Sequence, residues 1–168
     1  MKNILKNKMK NLKTRVKESI ERWWIKSNGD FERIPFEDEL IPEGAVGFIY
    51  KMRFTRDGKE YLYIGKKNFY SNRKKNFGKK ALAKVTDKRK KKYEVIKKLA
   101  YKNYFSSNKE IKQAHKDGIY VDRLILKICF SKAELTYEET KAQFQHEVLE
   151  NDCYLNGNIL GRFYKGKI

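Results

Sequence analysis

Residues 47–65, GFIYKMRFTRDGKEYLYIG, decide how this chain is read. Val46 to Tyr50 and Tyr61 to Ile64 are runs of β-branched and aromatic residues, the types that fill strands. Between them stands Arg56-Asp57-Gly58-Lys59, and Asp-Gly is a strong two-residue hairpin signal because a type I′ turn needs positive φ at both central positions. With Asp57 and Gly58 at the turn, Arg56 pairs with Lys59, Met52 with Tyr63 and Tyr50 with Gly65. Side chains alternate faces along a strand, so Tyr50 and Tyr63 are expected as diagonal neighbours on one face. A slip of one residue would put the two rings on opposite faces.

Beyond the hairpin, Ser71 to Lys98 is dense in lysine. Asn72-Arg73-Lys74-Lys75 opens it, Lys79 and Lys80 follow, and Asp87-Lys88-Arg89-Lys90-Lys91-Lys92 comes last. A charge run is ordinarily a solvated loop. With Tyr70, Phe77 and Tyr93 interleaved, the segment also has the composition of a groove along a nucleic-acid backbone. A helix is expected over about Lys90 to Asn103, with Tyr93, Ile96 and Ala100 inward. Another is expected from Ser107, whose spacing to Glu110 suits a capping box, to Gly118, and a last one from roughly Ala133 to Leu149. Asp122 to Phe130 reads as a third strand with Leu124, Leu126, Ile128 and Phe130 on one apolar face.

Upstream, residues 1–26 read as one basic amphipathic helix, with Leu5, Met9, Leu12, Val16, Ile20 and Trp23 at helical spacing. It is expected to dock on the main domain, with self-association, a protein partner or a phosphate backbone as the other roles. Residues 31–44 form an acidic stretch with both prolines and read as a linker packing against the edge of the domain. The expected division is therefore 1–44, helix and linker, and 45–168, the main domain. The expected fold class is α/β (α+β), a small three-stranded antiparallel sheet flanked by helices.

The chain has 168 residues, 40% hydrophobic and 14% aromatic, which is enough to build a core and argues against global disorder. Its 40 Lys and Arg against 21 Asp and Glu give a formal charge of +19, which calls for a polyanionic partner. No stretch reaches the ~18 apolar residues of a membrane span, and the first residues lack the apolar core of a secretory signal, so no membrane partner is expected. Cys129 and Cys153 show no framework spacing, which suits a reducing, cytoplasmic setting. There is no glycine-rich phosphate loop, and His115 and His146 stand alone without metal-ligand spacing. Cys129 and both histidines are read as packing or surface residues.

The two tripeptide-like signatures, Phe48-Ile49-Tyr50 behind Gly47 and Tyr63-Ile64-Gly65 after the turn, resemble the paired motifs of the GIY-YIG endonuclease superfamily. More closely, the chain is similar to the phage-encoded SegE-like endonucleases in Tyr63-Ile64-Gly65-Lys66-Lys67, Tyr104-Phe105-Ser106-Ser107, and Thr136-Tyr137-Glu138-Glu139 with Gln143-Phe144. The resemblance covers about Gly44 to Lys165. It implies a metal-dependent endonuclease acting on DNA, most simply double-stranded, with one Mg²⁺ or Mn²⁺ ion. Carried over by position, Tyr50 and Tyr63 are the paired tyrosines, and Lys66 follows the second glycine with Lys67 beside it. Arg73 lies at the spacing of a catalytic arginine on a first helix, with Arg89 as the alternative. Glu139 is the metal ligand, Glu138 its neighbouring competitor, and Asn156 or Asn158 the closing asparagine. Glu139 also stands three residues after Thr136, so a helix cap is a second reading.

The implied chemistry is coherent. Phosphodiester hydrolysis needs a nucleophilic water, neutralisation of charge on the transition state and help for the leaving oxygen. A free phenol, with a pKa of ~10, is a poor base at neutral pH. Lys66, Lys67 and Arg73 nearby are expected to favour the phenolate of Tyr50 or Tyr63. Arg73, Lys74, Lys75, Lys79, Lys80, Arg89, Lys90 and Lys91 are the expected nucleic-acid contacts. Two other classes stay open: a catalytically silent nucleic-acid-binding protein of the same fold, and an RNA-directed protein, because a basic groove does not choose the sugar.

Overall fold

In a computed structural model, residues 22–26, 32–87 and 93–167 are described. Strands β1 (Trp23–Lys26), β2 (Arg33–Pro35), β3 (Gly47–Arg56), β4 (Lys59–Asn68) and β7 (Asp122–Cys129) form one five-stranded sheet in the order β2-β1-β7-β3-β4. The sheet is mixed: β1 runs parallel to β7, and the other neighbours are antiparallel. Between β4 and β7 the chain forms β5 (Tyr70–Asn76), the short helix α1 (Lys79–Ala83), β6 (Tyr93–Leu99) and helix α2 (Lys109–Lys116). After β7 come helix α3 (Lys132–Gln145) and the two-residue strands β8 (Asn158–Ile159) and β9 (Phe163–Tyr164).

The β3–β4 hairpin has the register the Asp57-Gly58 turn dictates: Arg56 faces Lys59, Met52 faces Tyr63 and Tyr50 faces Gly65. Both turn residues take positive φ, at 50° and 74°. Alternation along β3 feeds two cores. Phe48, Tyr50, Met52 and Phe54 face one side with Trp23, Phe69, Tyr101, Ile111 and Ile125, whereas Ile49 faces the other with Ile64, Cys129, Leu135 and Val148. Helix α2 sends Ile111 and Ala114 into the first core and α3 sends Leu135 into the second. Fully burying one such large apolar side chain contributes about 1.5–3 kcal/mol, so both faces of the hairpin are clamped.

Several expectations are corrected. The sheet has five strands rather than three, because Trp23–Lys26 is a strand parallel to β7 and not the end of a helix, and Arg33–Pro35 pairs with it. Trp23 is 3% exposed and sets its indole edge-on to Phe48 and Tyr50, so in-sheet burial replaces the amphipathic stripe there. The rest of the expected N-terminal helix, through residue 21, lies outside the described residues. The stretch read as a linker contributes β2 and sends Phe36 into the core. The helix expected near Lys90 to Asn103 is strand β6, since Tyr93, Val95 and Ile96 find a ladder partner in β5.

Two finer expectations also shift. In β7, a bulge opposite Ile49 and Tyr50 leaves Leu126 outside the paired register, so Ile125 is buried while Leu126 and Phe130 are exposed. Asn108, not Ser107, caps α2, its Oδ1 accepting from the amides of Glu110 and Ile111. Ser131 caps α3 by accepting from Glu134 N–H, so Glu139 lies two turns inside the helix and is not a cap. His115 stacks on Phe105, and Cys129 packs fully buried, as their lone positions imply. No helix among the described residues is long and apolar enough to cross a membrane.

Candidate active site

The site sits on β4, the outer strand of the sheet, where side chains of both faces meet. On the face carrying the first core, the rings of Tyr50 and Tyr63 lie 6.2 Å apart at 34°. Gly65 makes this possible: a Cβ there would stand 2.7 Å from Tyr50 Oη and 2.9 Å from Tyr63 Cε1. Gly47 is needed for a separate reason, since a Cβ would collide with the carbonyl oxygen of Lys67 across the ladder. The two glycines of the paired motif are therefore steric requirements.

A third phenol completes the cluster. Tyr104 sits edge-on to Tyr50 at 5.9 Å, and the Tyr50 hydroxyl lies 3.4 Å from both Tyr104 Oη and Ser106 Oγ. Ser106 is buried in a left-handed conformation, φ 59°, and its Oγ accepts from Asn108 N–H. Arg123, itself buried, holds this loop by donating to the carbonyls of Lys102 and Tyr104, with Trp23 and Phe105 rings beside its guanidinium. In the sequence, Tyr104, Ser106 and Ser107 carry no assigned role. Their only signal there is a short match, because nothing in periodicity or spacing ties residues 104–107 to a hairpin some forty residues earlier.

Lys66 and Lys67 leave β4 on opposite faces. Lys67 Nζ stands 4.1 Å over the Tyr104 ring, and burial lowers its pKa. Lys66 Nζ pairs with Glu139 Oε2 at 3.0 Å and lies 2.9 Å from Thr136 Oγ1 on α3. Glu139 is 18% exposed and its charge reaches Tyr63. Glu138 faces away and pairs with Lys127 of β7 at 2.7 Å. Of the two neighbouring acids, Glu139 is the one turned to the phenols.

The electrostatics correct one expectation. Burial pushes the Tyr50 phenol far above its ordinary range, and the neighbouring Tyr104 adds to this. Tyr63 is also raised, by burial first and then by Tyr104 and Glu139, with the Ser107 and Ser106 hydroxyls pulling the other way. Desolvation outweighs the nearby lysines, so both phenols are protonated at neutral pH.

Asn156 is buried, and its carboxamide is taken up by Ile64 between the two motif residues: Oδ1 accepts from Ile64 N–H at 3.0 Å and Nδ2 donates to its carbonyl at 2.8 Å. Gln143 Nε2 shares that carbonyl. Asn158 shapes a turn by accepting from Gly161 N–H. Arg73 is exposed on β5, paired with Ile96, rather than on a helix. It lies three strand residues, about 10 Å, beyond Tyr70. Lys74 and Lys75 are exposed on the same strand, and Lys79 and Lys80 on α1, while Arg89, Lys90 and Lys91 lie outside the described residues. An open cavity of about 870 Å³ is lined both by Lys66, Lys67 and Tyr104 of the site and by Tyr70, Asn72 and Lys97 of β5 and β6.

Comparison with curated proteins and with solved structures returned no match. A family profile described as "Putative endonuclease segE, GIY-YIG domain" matches residues 29–159, well over half of the chain and the whole of the site. The paired tyrosines, the glycines that make room for them and the acid on α3 all fall inside that match, and the chain belongs to the SegE GIY-YIG endonuclease family.

Proposed function

We propose that the protein is a divalent-metal-dependent endonuclease that hydrolyses phosphodiester bonds of double-stranded DNA in the cytoplasm. The observation that carries this reading is the convergence at one strand edge of Tyr50, Tyr63 and Tyr104 with the Lys66–Glu139 pair. A pair of tyrosines buried only for packing would not need a partly exposed ion pair beside it.

Glu139 fits a metal-ligand role. It is a hard oxygen donor at a partly exposed position, and no group of three or more His, Cys, Asp or Glu gathers among the described residues. Mg²⁺ suits such a place, because it commonly takes one or two carboxylates and fills its remaining positions with phosphate oxygens and water. When bound, the ion supplies Lewis-acid polarisation of the phosphoryl group and charge neutralisation at the leaving oxygen.

The chain's own residues supply the rest. Tyr63, the less buried phenol, orients the nucleophilic water through its hydroxyl. Tyr50 sits behind it and fixes its position through ring contact, with Ser106 and Tyr104 holding Tyr50 in turn. Lys66 and Lys67 neutralise the phosphate from the two faces of β4. Lys67, whose pKa burial lowers, is suited to give a proton to the leaving oxygen. Asn156 acts at one remove, by fixing the backbone between Tyr63 and Gly65. Arg73, Lys74, Lys75, Lys79 and Lys80 hold the flanking backbone of the duplex.

Supercoiled plasmid incubated with the protein and Mg²⁺ tests the reading. Nicked or linear product that EDTA suppresses is expected. Binding without any cutting in Mg²⁺ or Mn²⁺ would leave a silent nucleic-acid-binding protein, and cutting of RNA alone would move the substrate.

A further inference from the structure

Strands β5 and β6 stand apart from the main sheet as a two-stranded antiparallel ribbon, with Tyr70 paired to Leu99 and Asn76 to Tyr93. Paired residues share a face. One face therefore carries Tyr70, Asn72, Lys74 and Asn76 from β5 with Tyr93, Val95, Lys97 and Leu99 from β6. The other carries Ser71, Arg73, Lys75, Ile96 and Lys98.

The first face supplies most of the ribbon's share of the cavity beside the active site, with Ser71 of the other face adding to it. Tyr70, Asn72 and Lys97 line the same cavity as Lys66, Lys67 and Tyr104. It is also the chemically mixed face. Lys97 stands over the Tyr70 ring at 4.1 Å and Lys74 over the Tyr93 ring at 4.7 Å, which holds both ammonium groups against the ribbon. Asn72, Asn76 and Val95 are exposed between them, Val95 by 53%. Exposed amides and an aliphatic group thus stand together on this face. Those groups match the base edges of the major groove, where a carboxamide pairs with adenine N6 and N7 and an aliphatic group meets the thymine methyl. A two-stranded ribbon also has the width that the groove admits.

We propose that the β5–β6 ribbon lies in the major groove beside the scissile phosphate and reads bases there. Its face with Asn72, Asn76 and Val95 is turned to the base edges, and Lys74 and Lys97, held over their tyrosine rings on that same face, add positive charge beside them. The inference rests on the endonuclease reading and adds to it a sequence preference for A·T pairs. The seven residues of β5 span about 20 Å, so the preference extends about six base pairs to one side of the cut.

The test selects bound duplexes from a randomised library, using the full chain in EDTA so that no cutting is needed. Plasmid cutting in Mg²⁺ is read separately. Wild type is expected to enrich A·T pairs about tenfold at positions within one block. The triple variant Asn72→Ala, Asn76→Ala, Val95→Ala is expected to lose that enrichment, and Lys98→Ala, on the opposite face, to keep it. A pattern unchanged in the triple variant, or no pattern in wild type, overturns the ribbon's reading role whether or not the plasmid is cut. A ribbon-dependent pattern without any cutting supports the role and removes the nuclease reading instead.

Discussion

Gly65 and Tyr50 face each other across the β3–β4 ladder, and the phenol of Tyr50 lies over the space that a side chain at Gly65 would fill. A methyl group there would meet Tyr50 Oη at 2.7 Å and Cζ at 2.9 Å, and Tyr63 Cε1 at 2.9 Å. Gly65→Ala must therefore displace one or both rings. Overpacking of this kind costs about 1–3 kcal/mol, and misplacing a catalytic group by about 1 Å lowers the rate about 100-fold. Thermal unfolding and plasmid cleavage measured together should show a modest loss of stability and a large loss of activity. Gly47→Ala should show the opposite balance, because its collision is with backbone of the partner strand.

Asn156 gives a second expectation. Its carboxamide satisfies both the N–H and the carbonyl of Ile64 on the outer strand. The chain from Cys153 to Leu155 brackets Leu62 in the same way, Leu62 N–H donating to Cys153 and Leu155 N–H to Leu62. Residues 153–156 thus cover the edge of β4. Asn156→Ala leaves the Ile64 N–H unpaired and its carbonyl to Gln143 alone, and should cost about 1–3 kcal/mol in denaturant unfolding. Cleavage should fall with it even below the new midpoint, as Tyr63 loses its fixed backbone.

The pH dependence of stability has a definite sign. Tyr50 titrates near its ordinary value of 10.0 when unfolded and well above it when folded, through burial. The folded chain keeps a proton that the unfolded chain releases, so stability falls as pH rises above about 10 and this contribution is complete below it. Tyr50→Phe removes the effect. The stability difference between wild type and Tyr50→Phe should be constant from pH 7 to about 9 and shift against wild type above about 10.

The hairpin was legible because its information is local. Asp57-Gly58 fixes the turn, the turn fixes the register, and the register puts Tyr50 beside Tyr63. Glu139 was legible through resemblance alone, since nothing local distinguishes it from Glu138. Lys127, which occupies Glu138, is eleven residues earlier on another element. What the sequence hid is non-local. Tyr93-Glu94-Val95-Ile96 has apolar residues at both strand and helix intervals, and only the pairing with β5 decides for the strand. Trp23 continued a helical stripe until β7 offered it a parallel edge. The inward turn of Ile125 in place of Leu126 depends on a bulge set by β3, which no reading of β7 by itself supplies.

Salt dependence checks the lysine contacts. Lys79 and Lys80 are exposed on α1 at the far end of the ribbon. If each meets a phosphate, alanine substitution of both should weaken DNA binding for all sequences and lower the slope of log affinity against log salt by about 2. An unchanged slope would take α1 away from the duplex.

The most direct test of the site is single-turnover cleavage of plasmid DNA by Glu139→Gln in Mg²⁺, with DNA binding measured separately in EDTA. Glutamine keeps the size of the side chain and removes its charge, so the tyrosines and α3 stay in place while the proposed metal ligand is lost. A rate at least about 1000-fold below wild type, with affinity within about threefold, is the predicted result. Cleavage within tenfold of wild type would contradict the account, since the acid beside Tyr63 and Lys66 would then have no part in the chemistry.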